Sequence, residues 1–293
     1  MSSTWIDRNI KWIFSLPAVI FILVMVAFPI AYTVRISLYE WSMSASTPPK
    51  WVGLGNYAGL LTGDRFWASV GRTFFHTGVS IVIETILGIL IAVLVSRKFK
   101  GQKTTKTLLM LPMVATPVSI SLVWLLIYEP SIGLANQILK ALSLKPLPWL
   151  GSVDLVLPSL ILVDVWQWTP MIVLIVVAGL TTLPTDPYES ASVDGATAAQ
   201  KFFHITLPLL MPTILTAVIL RLIDLLKTFD TIYATTQGGP NYASETLNIM
   251  VFNEAFTYFK FGSASALMML FFLLIMVVII ALIALKKRLG GLH

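Results

Sequence analysis

The sequence predicts an all-α fold: a polytopic membrane helix bundle with six transmembrane helices and both termini cytoplasmic. Three observations carry that prediction. First, 57% of the 293 residues are apolar and only 12% are charged, about half the charge of an ordinary soluble chain. A soluble domain of this length could not hide so much apolar surface, and intrinsic disorder needs the opposite composition. Second, six segments are long and apolar enough to cross about 30 Å of hydrocarbon: 12–38, 73–96, 107–128, 157–180, 205–232 and 263–285. None shows the two-residue alternation of a membrane barrel. Third, lysine and arginine are distributed unevenly. The flanks 1–11, 97–106, 181–204 and 286–293 hold eleven of them in 53 residues, against six in the 92 residues of 39–72, 129–156 and 233–262. The richer set is assigned to the cytoplasm.

The elements follow in order. The first segment begins with Arg8 and Lys11, as a secretory signal would, but its apolar run is longer than a signal core. It reads as a retained span. Gly88 and Ala92 in the second span form a small-xxx-small pair, a sign of close helix contact. His76 and Glu84 in the same span read as groups that pair with neighbours or sit at the interface. The fifth span is the least apolar, because it holds Arg221, Asp224, Lys227 and Asp230. Trp41, Trp51, Trp67, Trp149 and Tyr258 fit an interfacial belt facing the other side, and Met268-Met269 reads as packing. Linkers, low-complexity tracts and strong internal repeats are missing. The whole chain, 1–293, reads as one membrane domain surrounded by lipid.

Several functions are excluded. The chain has no cysteine, hence no disulfide, thiolate metal site or cysteine nucleophile. His76, His204 and His293 are scattered and suggest no metal site. The net charge of +6 sits in short clusters beside apolar segments, so it reflects membrane topology and not a nucleic-acid partner. No G-x-S-x-G elbow or H-E-x-x-H pair is present. No G-x-x-x-x-G-K-[ST] loop is present either.

The segment 184–204, between the fourth and fifth spans, carries the strongest local signals. Asp186 suits an N-cap, Pro187 the first helical position, and Glu189 completes a capping box. A short helix is expected from Pro187 to about Val193. Asp194-Gly195 marks a turn, and a second short helix from Ala196 to His204 should lead to Pro208, where the fifth span begins. Small residues at 190–192, 196, 198 and 199 would let a partner approach closely.

The run Glu189-Ser190-Ala191-x-x-Asp194-Gly195-Ala196, followed by Ile205-x-Leu207-Pro208, resembles the EAA loop of importer-type ABC permeases. Every spacing matches, and Ser190 replaces the first alanine. Two further stretches resemble the sugar and glycerol-phosphate permease branch. One is Gly53-Leu54-Gly55-Asn56-Tyr57 with Asp64-Arg65-Phe66-Trp67. The other is Gly238-Gly239-Pro240 with Glu245-Thr246-Leu247 and 261–266. The resemblance implies that Glu189, Ser190, Ala191, Asp194, Gly195 and Ala196 couple to a separate ATPase. It also implies the partners: a second homologous permease, two ATP-binding cassette subunits and an external solute-binding protein. The chain itself would need no cofactor, with ATP and Mg on the ATPase subunits. The solute would be a sugar or sugar-like molecule.

Ionisable groups inside a membrane are expensive and by default mark pathways. Asp164, Gln167, Trp168 and Met171 share one face of the fourth span; Arg221, Asp224, Leu225 and Thr228 share one face of the fifth. They form the candidate solute pocket, with Trp168 or Trp166 as a flat apolar surface. The competing reading is an ion pair, Arg221–Asp224 or Asp164–Arg221, holding helices in register. Arg221 also raises the possibility of an acidic solute. An alternative function is an ion-coupled secondary carrier using Asp164, Asp224 and Glu84.

Overall fold

The structure, a computed structural model, describes residues 5–43 and 48–290. His293 lies outside the described residues, as do the side chains of Arg8, Lys287 and Arg288 from the basic flanks. Thirteen α-helices run in the order α1 (Trp5–Ser37), α2 (Gly55–Leu61), α3 (Asp64–Ser96), α4 (Gln102–Val114), α5 (Pro117–Ile127), α6 (Leu134–Ala141), α7 (Val156–Leu180), α8 (Asp186–Val193), α9 (Ala198–Lys201), α10 (Leu207–Leu226), α11 (Asp230–Thr235), α12 (Leu247–Phe252) and α13 (Phe261–Gly290). Between α1 and α2, β1 (Tyr39–Glu40) and β2 (Lys50–Trp51) pair antiparallel, with Tyr39 opposite Trp51. The all-α class predicted from the sequence holds: among the described residues that ribbon is the one pair of strands, and the rest is helix and connecting loop.

Among the described residues five helices are long and apolar enough to span a membrane on their own, and α4 and α5 meet the same test only when taken together as one bent pair. That pair corrects the expected continuous span 107–128: α4 and α5 meet at a 95° bend. The cause is local. Thr116 precedes Pro117, whose ring disfavours helical geometry in the residue before it. Ala115 and Thr116 are accordingly extended, at ψ 147° and 144°. Thr116 then caps α5, its hydroxyl oxygen accepting from the Ser119 amide at 3.4 Å.

The expected fifth span, 205–232, is also corrected at its end. α10 stops at Leu226, and Asp230–Ile232 belong to α11. The Asn248 side-chain amide donates to the Lys227 carbonyl at 2.8 Å, satisfying one of the acceptors freed by the break.

The chain forms two compact units, residues 1–64 with 251–273 and residues 65–250 with 274–293. In the first, Asn56 ties the ribbon to α1. Its side-chain amide donates to the Ser37 and Tyr39 carbonyls at 2.8 and 2.9 Å, and the Tyr57 and Ser37 hydroxyls meet at 2.7 Å. The Gly262 amide donates to the Trp41 carbonyl at 3.1 Å.

In the second unit, α7 is the most buried span. Ile172, Val173 and Val176 of α7 pack with Leu210 and Ile214 of α10 and with Ile81 and Ala92 of α3. Lipid tails are as apolar as these side chains, so close packing and not water exclusion holds the helices together. Gly88 shows how close. A Cβ there would lie 2.6 Å from Ile172 Cγ2 and 2.8 Å from its Cβ. Gly88→Val is therefore expected to destabilise the protein by about 1–3 kcal/mol through overpacking. Thermal unfolding in detergent, with Gly78→Val as the control in open space, checks it.

Candidate coupling loop and buried ion-pair site

The loop 184–204 folds into two helices around a sharp bend. α8 starts one residue earlier than expected. Thr185 is its N-cap but makes no side-chain cap bond, so the predicted Asp186–Glu189 capping box is absent. Both acids lie inside the first turn, where they complement the positive end of the helix dipole. The capping box belongs to α9 instead. The Gln200 amide donates to Thr197 Oγ1 at 3.3 Å, and the Thr197 amide donates to Gln200 Oε1 at 2.8 Å.

The bend itself is a Schellman motif. The Ala196 amide donates to the Ala191 carbonyl at 2.9 Å and the Gly195 amide to the Ser192 carbonyl at 3.2 Å. Gly195 sits at φ +75°, a left-handed conformation that side chains rarely adopt.

The second helix also departs from expectation. α9 covers only Ala198–Lys201 and passes without a gap through a π-helical turn, Phe202–Thr206, into α10. Pro208 accounts for a wide turn there, because it has no amide hydrogen for the carbonyl four residues back and its ring crowds that carbonyl. The Tyr188 hydroxyl donates to Thr206 Oγ1 at 3.0 Å, and Lys201 Nζ to Ser192 Oγ at 2.7 Å. These bonds brace α8 against the continuous helix. Glu189, Ser190, Asp194 and Gly195 are exposed, and Ala191 and Ala196 are half-buried. Val193 is 88% exposed, an apolar side chain presented outward from the tip of α8.

The candidate pocket residues do not all converge. Arg221 is buried and serves two carboxylates from two other spans. Its Nε and Nη2 donate to Glu84 of α3 at 2.8 and 3.0 Å, and Nη2 donates to Asp164 of α7 at 2.5 Å. Its guanidinium carbon lies 5.1 Å from the Trp168 ring centroid. Of the two ion pairs weighed above, Asp164–Arg221 forms and Arg221–Asp224 does not. Asp224 is half-exposed and lies 3.8 Å from Lys227. Leu225 is buried in the apolar core, and Thr228 lies beyond the end of α10. Trp168 and Met171 are half-buried on α7. Gln167 is fully buried. Its amide nitrogen donates to the Ala115 carbonyl at 3.4 Å, at the break between α4 and α5, while its Oε1 has no partner. Non-helical backbone at membrane depth needs such a partner inside the protein.

Glu84 is the residue that sequence reasoning undervalued. Nothing in its own neighbourhood singled it out, since its partner lies 137 residues away. Among the described residues no cluster of His, Asp or Glu could hold a metal ion.

A second ion-pair site joins two of the motif stretches. Arg65 donates from Nε and Nη2 to the two carboxylate oxygens of Glu245 at 2.8 and 2.6 Å and stacks 4.6 Å from the Tyr242 ring. Arg72 Nη1 donates to the Glu245 carbonyl at 3.2 Å. Glu245 is fully buried, whereas Arg65 is 29% exposed. Gly238, at φ +93°, turns the loop tightly beside Ile249 and Glu245. Arg65→Ala would leave a buried carboxylate without its fork. It is expected to cost about 2–4 kcal/mol, read as faster proteolysis of the loop 236–246 in the intact protein.

The described residues form a helical multi-pass membrane bundle with an exposed helix–bend–helix continuous with one of its spans. The chain belongs to the family described as binding-protein-dependent transport system inner membrane component, whose profile matches residues 84–289. It is thus a non-catalytic permease subunit of a multi-pass inner-membrane system, and the family does not favour a stand-alone ion-coupled carrier. A probable ABC transporter permease, y4oQ of Sinorhizobium fredii, is 37% identical over 88% of this chain and 84% of its own length. The trehalose/maltose transport system permease MalF of Thermococcus litoralis is 36% identical over 84% of this chain and 83% of its own. The fold matches a chain of a bacterial alginate ABC transporter, solved in complex with an alginate pentasaccharide-bound periplasmic protein. That match has a TM-score of 0.83 at 20% identity and covers 97% of this chain and 96% of the other.

Proposed function

We propose that this chain moves a carbohydrate-like solute through the membrane domain of an ATP-driven importer. In this reading an external binding protein delivers the solute, and a second permease completes the membrane domain. Two ATPase subunits, carrying ATP and Mg, drive the cycle. Both termini and the loop 184–204 face the cytoplasm, and residues 1–293 act as one permease domain. The observation that carries the proposal is the exposed α8 with its glycine bend, braced onto a helix that runs unbroken from α9 into α10. A partner that grips α8 through Glu189, Ser190, Ala191, Asp194, Gly195 and Ala196 would pull directly on a membrane span. The relatives named for trehalose, maltose and alginate support a sugar as cargo.

For the solute itself, we propose contacts from Trp168, Met171 and the free Gln167 Oε1, which offer a ring face and a hydrogen-bond acceptor. Arg221 already serves two carboxylates, so it has no charge left for an acidic solute. Asp164 and Arg221 then act as helix ties, and Asp224, Leu225 and Thr228 stand outside the pocket. The test is reconstitution. The affinity-purified permease should bring down an ATPase, and proteoliposomes should take up solute only with binding protein and ATP. Uptake driven by an ion gradient alone would refute the proposal.

A further inference from the structure

We propose that the groove between the ends of α3 and α7 and the base of the coupling helices holds an anionic phospholipid. The groove has a volume of about 850 Å³. Its walls are apolar, built from Leu90 and Leu94 of α3, Leu180, Leu183, Phe202 and Phe203. Leu94 is 58% exposed and Phe203 61%, a large apolar surface with no protein cover among the described residues. Its polar lining includes two cations, Arg97 and Lys201, and Ser96, whose buried hydroxyl has no hydrogen-bond partner.

The geometry fits a lipid better than a free anion. Leu90 and Arg97 are seven residues apart on and just past α3, about 10 Å along a helix axis. An acyl chain beside Leu90 therefore puts its phosphate at the level of Arg97. Arg97 has no ion-pair partner among the described residues, and it opens a run with Lys98, Lys100, Lys103 and Lys106 that contains no acid. Lys201 gives one N–H to Ser192 and keeps two. The acids of the helix–bend–helix, Asp186, Glu189 and Asp194, are exposed and do not line this groove; Asp194 lines a separate, neighbouring cleft with Lys201. Basic pockets between membrane helices on the cytoplasmic side suit such headgroups. The binding rests on the topology proposed above only for which leaflet supplies the lipid.

The experiment uses the purified, assembled transporter in phosphatidylcholine nanodiscs titrated with phosphatidylglycerol. Retained lipid is counted by native mass spectrometry. Arg97→Gln should raise the phosphatidylglycerol needed for half-retention about fivefold, and Arg97→Lys should stay within about twofold of wild type. Lys98→Gln and Lys100→Gln, outside the groove, should change little. A photoreactive residue at position 94 should label lipid. Equal retention in Arg97→Gln, an equal loss in the two lysine variants, or labelling of a protein subunit from position 94 would each overturn the proposal. Lipid retention is read without transport, so it stands or falls apart from the uptake experiment.

Discussion

Replacing Arg221 with alanine is expected to be the most damaging single change in the membrane region. Glu84 and Asp164 would remain buried on α3 and α7, with both hydrogen bonds from Nη2 and the one from Nε gone. Removing one member of a buried ionic group costs about 3–5 kcal/mol, because the charges left behind are uncompensated. Hydrocarbon around the bundle gives those carboxylates no water to turn to. Accumulation of the permease in membranes and its unfolding temperature in detergent should both fall sharply. Arg221→Lys should recover only part of the loss. A single ammonium cannot present the planar fork that reaches Glu84 and Asp164 together. The triple variant Glu84→Gln, Asp164→Asn, Arg221→Gln should be more stable than Arg221→Ala, since it removes every charge at once. A solute-binding arginine behaves differently: Arg221→Ala would then fold normally and change only solute preference. That result would return Arg221 to the pocket.

What could be read in advance divides along the range of the interaction involved. Apolar length marks the segments that form the long apolar helices, because hydrocarbon thickness sets a minimum that any spanning helix must meet. It could not see the break at Ala115–Thr116, since residues on both sides stay apolar whether the backbone bends or not. The Thr116-Pro117 pair does carry that signal, as a cap followed by a helix-starting proline. The glycine bend at 195 was legible because its cause is local. The capping box was assigned to the wrong helix, and for a local reason too. Thr185 is already helical, which moved Asp186 inside the first turn. The face drawn through Arg221, Asp224, Leu225 and Thr228 assumed a helix continuing past Leu226. Once the helix stops there, Thr228 leaves the face and Asp224 pairs with Lys227. The pairings Glu84–Arg221 and Arg65–Glu245 join residues 137 and 180 positions apart. No local rule reaches that far. The stretches around Arg65 and Glu245 were marked only by resemblance, and the ion pair supplies the physical reason they belong together.

Gly195→Val is expected to abolish most uptake while leaving the permease folded. A Cβ at this position would meet nothing within 4 Å, so no clash is involved. The effect comes from the backbone alone. A β-branched residue held at φ +75° pays a left-handed penalty of about 1–2 kcal/mol. That penalty lowers the population of the bent form about 5- to 30-fold. Gly195→Asn makes the comparison informative, because asparagine tolerates the left-handed region and serves as a helix-end residue. Uptake should fall at least about fivefold for valine and stay near wild type for asparagine, with both proteins equally abundant. The unfolding temperature should move little, since the bend is exposed and remote from the Ile172–Leu210 core. The α9–π–α10 helix is continuous, so its line is fixed by α10, and the bend at Gly195, together with the Tyr188–Thr206 and Lys201–Ser192 braces, sets where α8 points. If α8 is the handle that a partner grips, straightening the bend disconnects the handle and spares the shaft. Equal uptake by the valine and asparagine variants would show that the angle at Gly195 carries no force.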